Sequence, residues 1–335
     1  MRNWLILLLG IVSLFWVGFT QDVFSKSREV RRALPPDKPS QADVISMDNS
    51  SSSNALQANF SIARTPPSLV GRALYPADAP PTIASSVMMI DAQTGAVLFF
   101  KNPDIRRPVA STQKLLTALL IAEHGGLDGS VRVAAEDCAV EPTKLGFRPG
   151  DVYTKRQLLA AMLVHSCNDV AACLARNDAG SIPAFSRRMN AKAAALGALN
   201  SHFMNPNGLP RTGQYSTARD MARIAYAAYR VSILRQFMKL PGLTFTYASG
   251  RQGFLEPTNE LVTRSATFTG MKTGYTDASG RCLISSATNG DRDVILIQLG
   301  GTHRLLFDDA QRLLTWGLGR RGSVIANAKV DAVGN

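Results

Sequence analysis

Strand-like sequence stands at both ends of an otherwise helical chain, and that placement restricts the fold more than any other feature of its 335 residues. Near one end, "SSVMMIDAQTGAVLFFKN" sets two apolar runs either side of Gln93-Thr94-Gly95, the pattern of a hairpin. Near the other, "GMKTGYTD", "RCLISSAT" and "DVILIQLGG" read as strands, and "RLLFDDAQRLLTWG" reads as a closing helix. Between them the periodicity is helical. One helix opens at Ser111, runs to His124 and stops at Gly125-Gly126. "KRQLLAAMLVH" breaks at "SCND" and resumes as "VAACLARN", followed by "PAFSRRMNAKAAALG" and "STARDMARIAYAAYRV". The last of these is expected to be capped by Ser216, with Asp220 in its first turn. Strands at both ends and helices between imply an α+β domain: one antiparallel sheet assembled from the two ends, with an all-helical lobe inserted.

The chain before this domain has a different character. "MRNWLILLLGIVSLFWVGFT" has a basic start at Arg2 and an unbroken apolar stretch from Trp4 to Phe19, the anatomy of an export signal. Lys26, Arg28, Arg31 and Arg32 just beyond it disfavour an anchor whose N-terminus is cytoplasmic. Cleaved signal and membrane anchor both stay open for residues 1–20, and a periplasmic or cell-envelope location follows from either. Residues 21–82, rich in Pro, Ser, Asp, Asn and Arg, bury too little apolar surface to fold alone and read as a linker. The "RALYPADAPP" stretch within them could instead lie on the domain. The catalytic domain is then expected over 83–320, with a short tail at 321–335.

Net charge of +12 permits an anionic partner, but no RNP motif, zinc-finger spacing or basic heptad helix is present, so no nucleic-acid partner is expected. Cys138, Cys167, Cys173 and Cys282 contain no C-x-x-C, which argues against structural zinc. They read as buried or isolated thiols, with a disulfide as the alternative.

Three short motifs carry chemistry. Ser111 and Lys114 lie one helical turn apart, on one face. As a plain structural feature Ser111 would be an N-cap. As chemistry it is a nucleophile beside an amine that becomes a base once burial or a second cation depresses its pKa. Alone, S-x-x-K arises by chance about once in a chain this long. Ser166-Cys167-Asn168 falls where the helical pattern breaks, whereas the equivalent Ser52-Ser53-Asn54 sits in the linker. Lys272-Thr273-Gly274 heads a strand, where a cation and a hydroxyl can hold a carboxylate and Gly274 lets a ligand backbone approach. Lys272 also supplies the second cation that Lys114 needs. No metal or organic cofactor is required by these residues.

In this order the three are the motif set of serine β-lactamases and penicillin-binding proteins. Beyond the triplets, "ASTQK", "SCND", "FMNPNGLP", "GQYSTARDMARIA", "GMKTGYTDASGRCLISSA" and "LLTWG" resemble the low-molecular-mass penicillin-binding proteins, serine-type D-alanyl-D-alanine carboxypeptidases of peptidase family S11, across residues 83–318. The resemblance implies a β-lactamase/DD-peptidase-like fold, peptidoglycan stem peptides as substrate and β-lactam antibiotics as covalent inhibitors. It implies acylation of Ser111 with Lys114 as base, and proton delivery to the leaving D-Ala by Ser166. Asn168 would hold the substrate amide, and Lys272 and Thr273 the terminal carboxylate. The backbone N–H groups of Ser111 and Tyr275 would form the oxyanion hole, and Arg304 would add a second carboxylate contact. Cys167 departs from the small glycine or alanine the family commonly has there. Gln214-Tyr215 ahead of Ser216 is a local variation without an evident role. The chain ends soon after "LLTWG", so any membrane tether is expected at the N-terminal apolar segment.

The same residues would serve a DD-endopeptidase that cuts cross-links, or a membrane-tethered penicillin sensor that acylates without turnover. A class A β-lactamase needs a glutamate in an E-x-x-L-N pattern, and the similar "GALN" begins at Gly197. A Ser-His-Asp hydrolase is disfavoured: no G-x-S-x-G occurs, and His124, His165, His202 and His303 are scattered. His165, adjacent to Ser166 in sequence, reads as a surface or loop histidine.

Overall fold

The first strand, β1 (Ser86–Asp91), turns into β2 (Val97–Lys101) as the hairpin pattern predicts. The Asp91 carboxylate caps the turn by accepting from the N–H groups of Gln93 and Thr94 and from the Thr94 hydroxyl. The computed structural model describes residues 76–302 and 305–320. The N-terminal apolar segment, the linker up to residue 75, the tail at 321–335, and His303 and Arg304 lie outside them. Among the described residues no helix is long and apolar enough to cross a membrane.

At the far end of the chain β7 (Phe268–Thr276), β8 (Gly280–Thr288) and β9 (Asp293–Gly301) form a meander, and β9 pairs antiparallel with β1. The result is one five-stranded sheet in the order β2-β1-β9-β8-β7, built from both ends of the domain. Its strands are apolar on both faces because both are covered. Val87, Met89, Val294, Leu296 and Leu283 point to one side, where helix α9 (Leu306–Gly319) lays Leu306, Ala310, Leu313 and Leu314 against them. The alternate residues Met88, Ile90, Ile295, Ile297 and Ile284 join the larger core on the other side. At roughly 1.5–3 kcal/mol per buried aliphatic side chain, this two-sided burial is what makes the sheet the backbone of the domain.

The inserted lobe begins with a 3₁₀ turn at Ala110–Gln113 that runs into α1 (Lys114–His124). Short α2 (Ala135–Cys138) follows, then α3 (Lys155–His165), α4 (Asn168–Ala179), α5 (Ile182–Ala195), α6 (Ala218–Arg230) and α7 (Ser232–Met238). Helix α1 is the hub. Leu115, Leu116, Ala118, Leu119, Ile121 and Ala122 are all buried, and it touches α3, α4, α5, α6 and α7. Two small ribbons complete the lobe's side: β3 (Ser130–Arg132) with β4 (Val152–Thr154), and β5 (Leu243–Thr246) with β6 (Gln252–Leu255). A four-residue helix, α8 (Leu261–Arg264), leads into β7.

Residues 76–82 already lie on the domain. Asp78 accepts from the Trp316 indole and pairs with Arg320, and the Thr82 hydroxyl accepts from Gln298. All four cysteines are free thiols. The cap of α6 is Thr217, whose hydroxyl accepts from the Asp220 N–H; the expected Ser216 instead bonds Ser201.

Candidate active site

Ser111 is not an N-cap. It sits inside the 3₁₀ turn, where no side chain caps the backbone, and its hydroxyl lies 2.7 Å from the Lys114 amine and 3.3 Å from the main-chain oxygen of Asn207. The local backbone is held under strain. Ala110, immediately before it, has a φ of 48°, a left-handed conformation that a residue with a Cβ adopts at a penalty of ~1–2 kcal/mol. Two glycines make room for this turn. A Cβ on Gly208 would stand 2.1 Å from the Ala110 carbonyl oxygen, and one on Gly274 would stand 2.8 Å from the Ser111 nitrogen. The turn that carries Ser111 therefore needs the absent side chain of Gly274, a requirement separate from the ligand approach expected there.

Lys114 is fully buried. Its Nζ has three oxygen neighbours: Ser111 Oγ at 2.7 Å, Asn168 Oδ1 at 2.6 Å and the Asn207 carbonyl at 2.7 Å. Two of these can only accept. A neutral amine has two N–H bonds and one lone pair, so the Asn168 and Asn207 oxygens take both hydrogens and leave the lone pair facing the Ser111 hydroxyl. Burial pushes the amine well below its ordinary range near 10.5, the nearby Lys272 ammonium pushes it further, and the Asp169 carboxylate opposes this. In its neutral form the amine therefore has one free position, on the side of the Ser111 hydroxyl.

Ser166 and Asn168 flank the junction of α3 and α4. Helix α3 ends because Ser166 takes a left-handed φ of 67°, and α4 starts two residues later. Asn168 is held on every side: its N–H donates to the Thr143 oxygen, its Nδ2 to Pro142, and its Oδ1 accepts from Lys114. It retains one N–H and one lone pair for a ligand. Asp169, buried beside it, accepts from the N–H groups of Leu145, Gly146 and Val170 and so fixes the loop that receives Asn168. Cys167 points inward, 3.8 Å from the Ala161 oxygen, and burial pushes its thiol up to about 12, so it packs as a neutral side chain.

Lys272 follows a bulge in β7 where Gly270 and Met271 both have positive φ. Its amine is fully buried, donates to the Thr273 oxygen at 3.0 Å, and is lowered by burial to about 7. The Thr273 hydroxyl donates to Thr258 Oγ1 at 2.7 Å, and Tyr275 is exposed at the end of β7, its phenol on Asp277. Contacts bring Ser111, Lys114 and Asn168 together, and Gly274 packs against the Ser111 turn. Lys272 acts on Lys114 through its charge, Ser166 stands two residues before Asn168 at the α3–α4 junction, and Thr273 and Tyr275 follow Lys272 on β7. Arg304 lies outside the described residues. His165, the last residue of α3, is half-buried with its Nδ1 3.0 Å from the Glu256 carbonyl oxygen, so it stands at a helix end and not in a loop.

Sequence inspection missed the Asn207 carbonyl, Gly208 and Asp169. The first acts through the main chain, which no side-chain motif records. Of the five non-glycine residues with positive φ among the described residues, four (Ala110, Thr143, Ser166 and Met271) belong to or adjoin this site. No trio of His, Cys, Asp or Glu side chains able to hold a metal ion occurs among the described residues.

Comparison with known proteins gives a consistent picture. The family model described as D-alanyl-D-alanine carboxypeptidase, peptidase S11, matches residues 75–303. A D-alanyl-D-alanine endopeptidase of Pseudomonas aeruginosa is 33% identical over 241 residues, covering 70% of this chain and 76% of its own. The D-alanyl-D-alanine carboxypeptidase DacB2 of Mycobacterium tuberculosis is 33% identical over 240 residues, covering 70% and 82%. A crystal structure of a D-alanyl-D-alanine carboxypeptidase from M. tuberculosis H37Rv superposes with a TM-score of 0.69 at 30% identity, over 78% of this chain and 97% of that one.

Proposed function

The chain belongs to the D-alanyl-D-alanine carboxypeptidase family, peptidase S11, and from that membership we propose the roles of its site residues. It is a serine-type D-Ala-D-Ala carboxypeptidase, a hydrolase of the penicillin-binding class. Ser111 Oγ attacks the carbonyl of the penultimate D-Ala of a peptidoglycan stem peptide while its proton passes to the Lys114 lone pair. The observation that carries this assignment is the trio of contacts at Lys114 Nζ, which leaves the amine a single free direction. The developing oxyanion is received by the N–H groups of Ser111 and Tyr275. Support comes from the close packing of β7 on the turn, where a Cβ on Gly274 would stand 2.8 Å from the Ser111 nitrogen. As the scissile C–N bond breaks, Ser166 passes a proton to the departing amine and the acyl group remains on Ser111 as an ester. Water then adds to that ester, and the serine regains its proton as the shortened peptide leaves.

Recognition follows the same geometry. The spare N–H and lone pair of Asn168 suit a substrate amide. Lys272, charged below about 7, suits the terminal carboxylate, and the Thr273 hydroxyl would join it by turning its proton from Thr258 to the ligand. Arg304 remains a proposed second carboxylate contact. β-Lactams, which carry an acylating carbonyl and a carboxylate, enter the same reaction as covalent inhibitors. Export to the periplasm or cell envelope, by cleaved signal or by N-terminal tether, is proposed from the basic start and apolar run of residues 1–20.

The test is D-Ala release from a pentapeptide together with intact mass after penicillin treatment. Wild type releases D-Ala and gains one penicilloyl group mapped to Ser111, and Ser111→Ala does neither. A labelled peptide elsewhere, or release by Ser111→Ala, overturns the assignment. The endopeptidase relative gives a second reading some weight. Conversion of purified cross-linked dimer muropeptides to monomers at a rate matching D-Ala release would favour it.

A further inference from the structure

Asn207 acts on Lys114 through its main-chain carbonyl, so whatever holds the surrounding loop decides where that oxygen lies. From the α1 side, Gln113 Nε2 donates to the Asn205 carbonyl at 2.5 Å and the Thr117 hydroxyl to the Pro206 carbonyl at 2.7 Å. These fix the start of the loop. Its end is held from elsewhere. Asn205 Nδ2 and Gln214 Nε2 converge on the Leu209 carbonyl, each at 2.9 Å. Asn205 Oδ1 accepts from the Gly208 N–H at 2.8 Å, and Gln214 Oε1 accepts from the N–H groups of Met204 and Asn205 at 2.9 and 3.3 Å. Two side-chain amides thus close the segment Asn205–Leu209 into a ring. The ring contains Gly208, whose left-handed φ of 88° gives it no conformational lock of its own.

We propose that Asn205 and Gln214 form a clasp that positions the Asn207 carbonyl against the Lys114 amine, and that they are positioning residues for acylation of Ser111. This gives Gln214, which the sequence left without a role, a task two links from the reacting atoms. The inference rests on the assignment of Ser111 and Lys114 as nucleophile and base. If the carbonyl withdraws, one N–H of the neutral amine loses an acceptor that cannot be replaced by a donor, and the lone pair is no longer confined to the direction of the serine hydroxyl.

A carbonyl acceptor also favours the ammonium form, so its withdrawal makes Lys114 a weaker base with a lower pKa. The other charged and titratable groups facing Lys114 are Lys272 on β7 and Cys167 and Asp169 at the start of α4. A change at Gln214 touches none of them.

The experiment measures acylation by a fluorescent penicillin across pH for the full chain and for Gln214→Met, which keeps side-chain length and removes both hydrogen-bonding groups. Gln214→Met is expected to acylate at least tenfold more slowly at its alkaline plateau, with the acid limb of the profile moved to lower pH and KM for a D-Ala-D-Ala peptide little changed. Leu314→Val, a cavity on the α9 side of the sheet, serves as the control for lost stability. Unchanged acylation by Gln214→Met overturns the proposal. So does a slower rate with an unmoved acid limb, or an equal loss in the control at matched Tm, because either leaves the clasp a merely structural element. Failure of wild type to acylate at Ser111 refutes the underlying assignment, and it is visible before any variant is made.

Discussion

Substituting Gly274 by alanine tests the packing of the nucleophile's turn with one methyl group. The new Cβ would stand 2.8 Å from the Ser111 nitrogen and 3.0 Å from both the Thr112 nitrogen and the Ala110 Cβ. All three are backbone or Cβ atoms with no rotamer to swing away. Restoring an ordinary contact of 3.4 Å requires β7 and the Ser111 turn to separate by about 0.6 Å. Overpacking of this kind destabilises by roughly 1–3 kcal/mol. Since a misplacement of ~1 Å at reacting groups lowers rate about 10²-fold, about 0.6 Å predicts a loss on the order of tenfold in acylation. The separation also pulls the Tyr275 N–H from the Ser111 N–H, so the defect falls on the acylation step more than on substrate binding. Stopped-flow acylation, KM for D-Ala release and thermal unfolding read the three quantities. Gly319→Ala is the matched control, because nothing lies within 4 Å of a Cβ there and the residue closes helix α9. Wild-type acylation by Gly274→Ala, or an equal loss in Gly319→Ala, refutes the reasoning.

Lys114→Ala is expected to lower acylation by about 10²–10⁴, the usual reach of a general base; retained acylation removes Lys114 from that role. Lys272→Met should raise KM for substrates with a free terminal carboxylate much more than for their methyl esters, and equal effects on the two refute carboxylate recognition. The same variant should be more thermally stable than wild type, by a margin that shrinks with rising pH. Lys272 has a folded-state pKa of about 7, below its unfolded value of 10.5, so the penalty of burying its charge is fully present below about 7 and disappears as pH rises towards 10.5. Unfolding midpoints at pH 6 and pH 9.5 check both sign and window. The penicilloyl adduct should persist, because Asp169, the carboxylate acting on Lys114, has its oxygens engaged by three N–H groups and cannot activate water. Rapid catalytic turnover of nitrocefin contradicts this.

The sheet was legible because its strands are short, apolar and bounded by turn residues, and because strands at both chain ends leave few ways to make one sheet. That Ser111, Lys114 and Asn168 meet was legible because their residue types and order suggested one site, and the contacts at Lys114 Nζ bring them together. What stayed hidden acts through the backbone or through space. Ser111 has the look of a helix cap, yet a left-handed Ala110 turns it inward, and sequence does not announce a strained alanine. The cap of α6 fell one residue later than expected because Ser216 and Thr217 are both able caps and only the tertiary partner Ser201 decides between them. Asn205 and Gln214 are ordinary amides until the loop closes around them. Gly274 was read as room for a ligand, and the close fit of the Ser111 turn against it was not legible because that neighbour is far away in sequence.

The pairing of β1 with β9 has a consequence for how this molecule comes into being. Ile90 meets Ile295, so the central strand of the sheet reaches its partner only after about two hundred further residues have been made. Until then the first hairpin carries an open, apolar edge of the kind that invites association with other chains. The lobe helices can coil as they emerge, but the seat of Lys272 and the wall behind Ser111 exist only once the final meander has docked. The surroundings of Ser111 described above are therefore incomplete until the C-terminal meander has been made, since Lys272 and Gly274 both lie on β7.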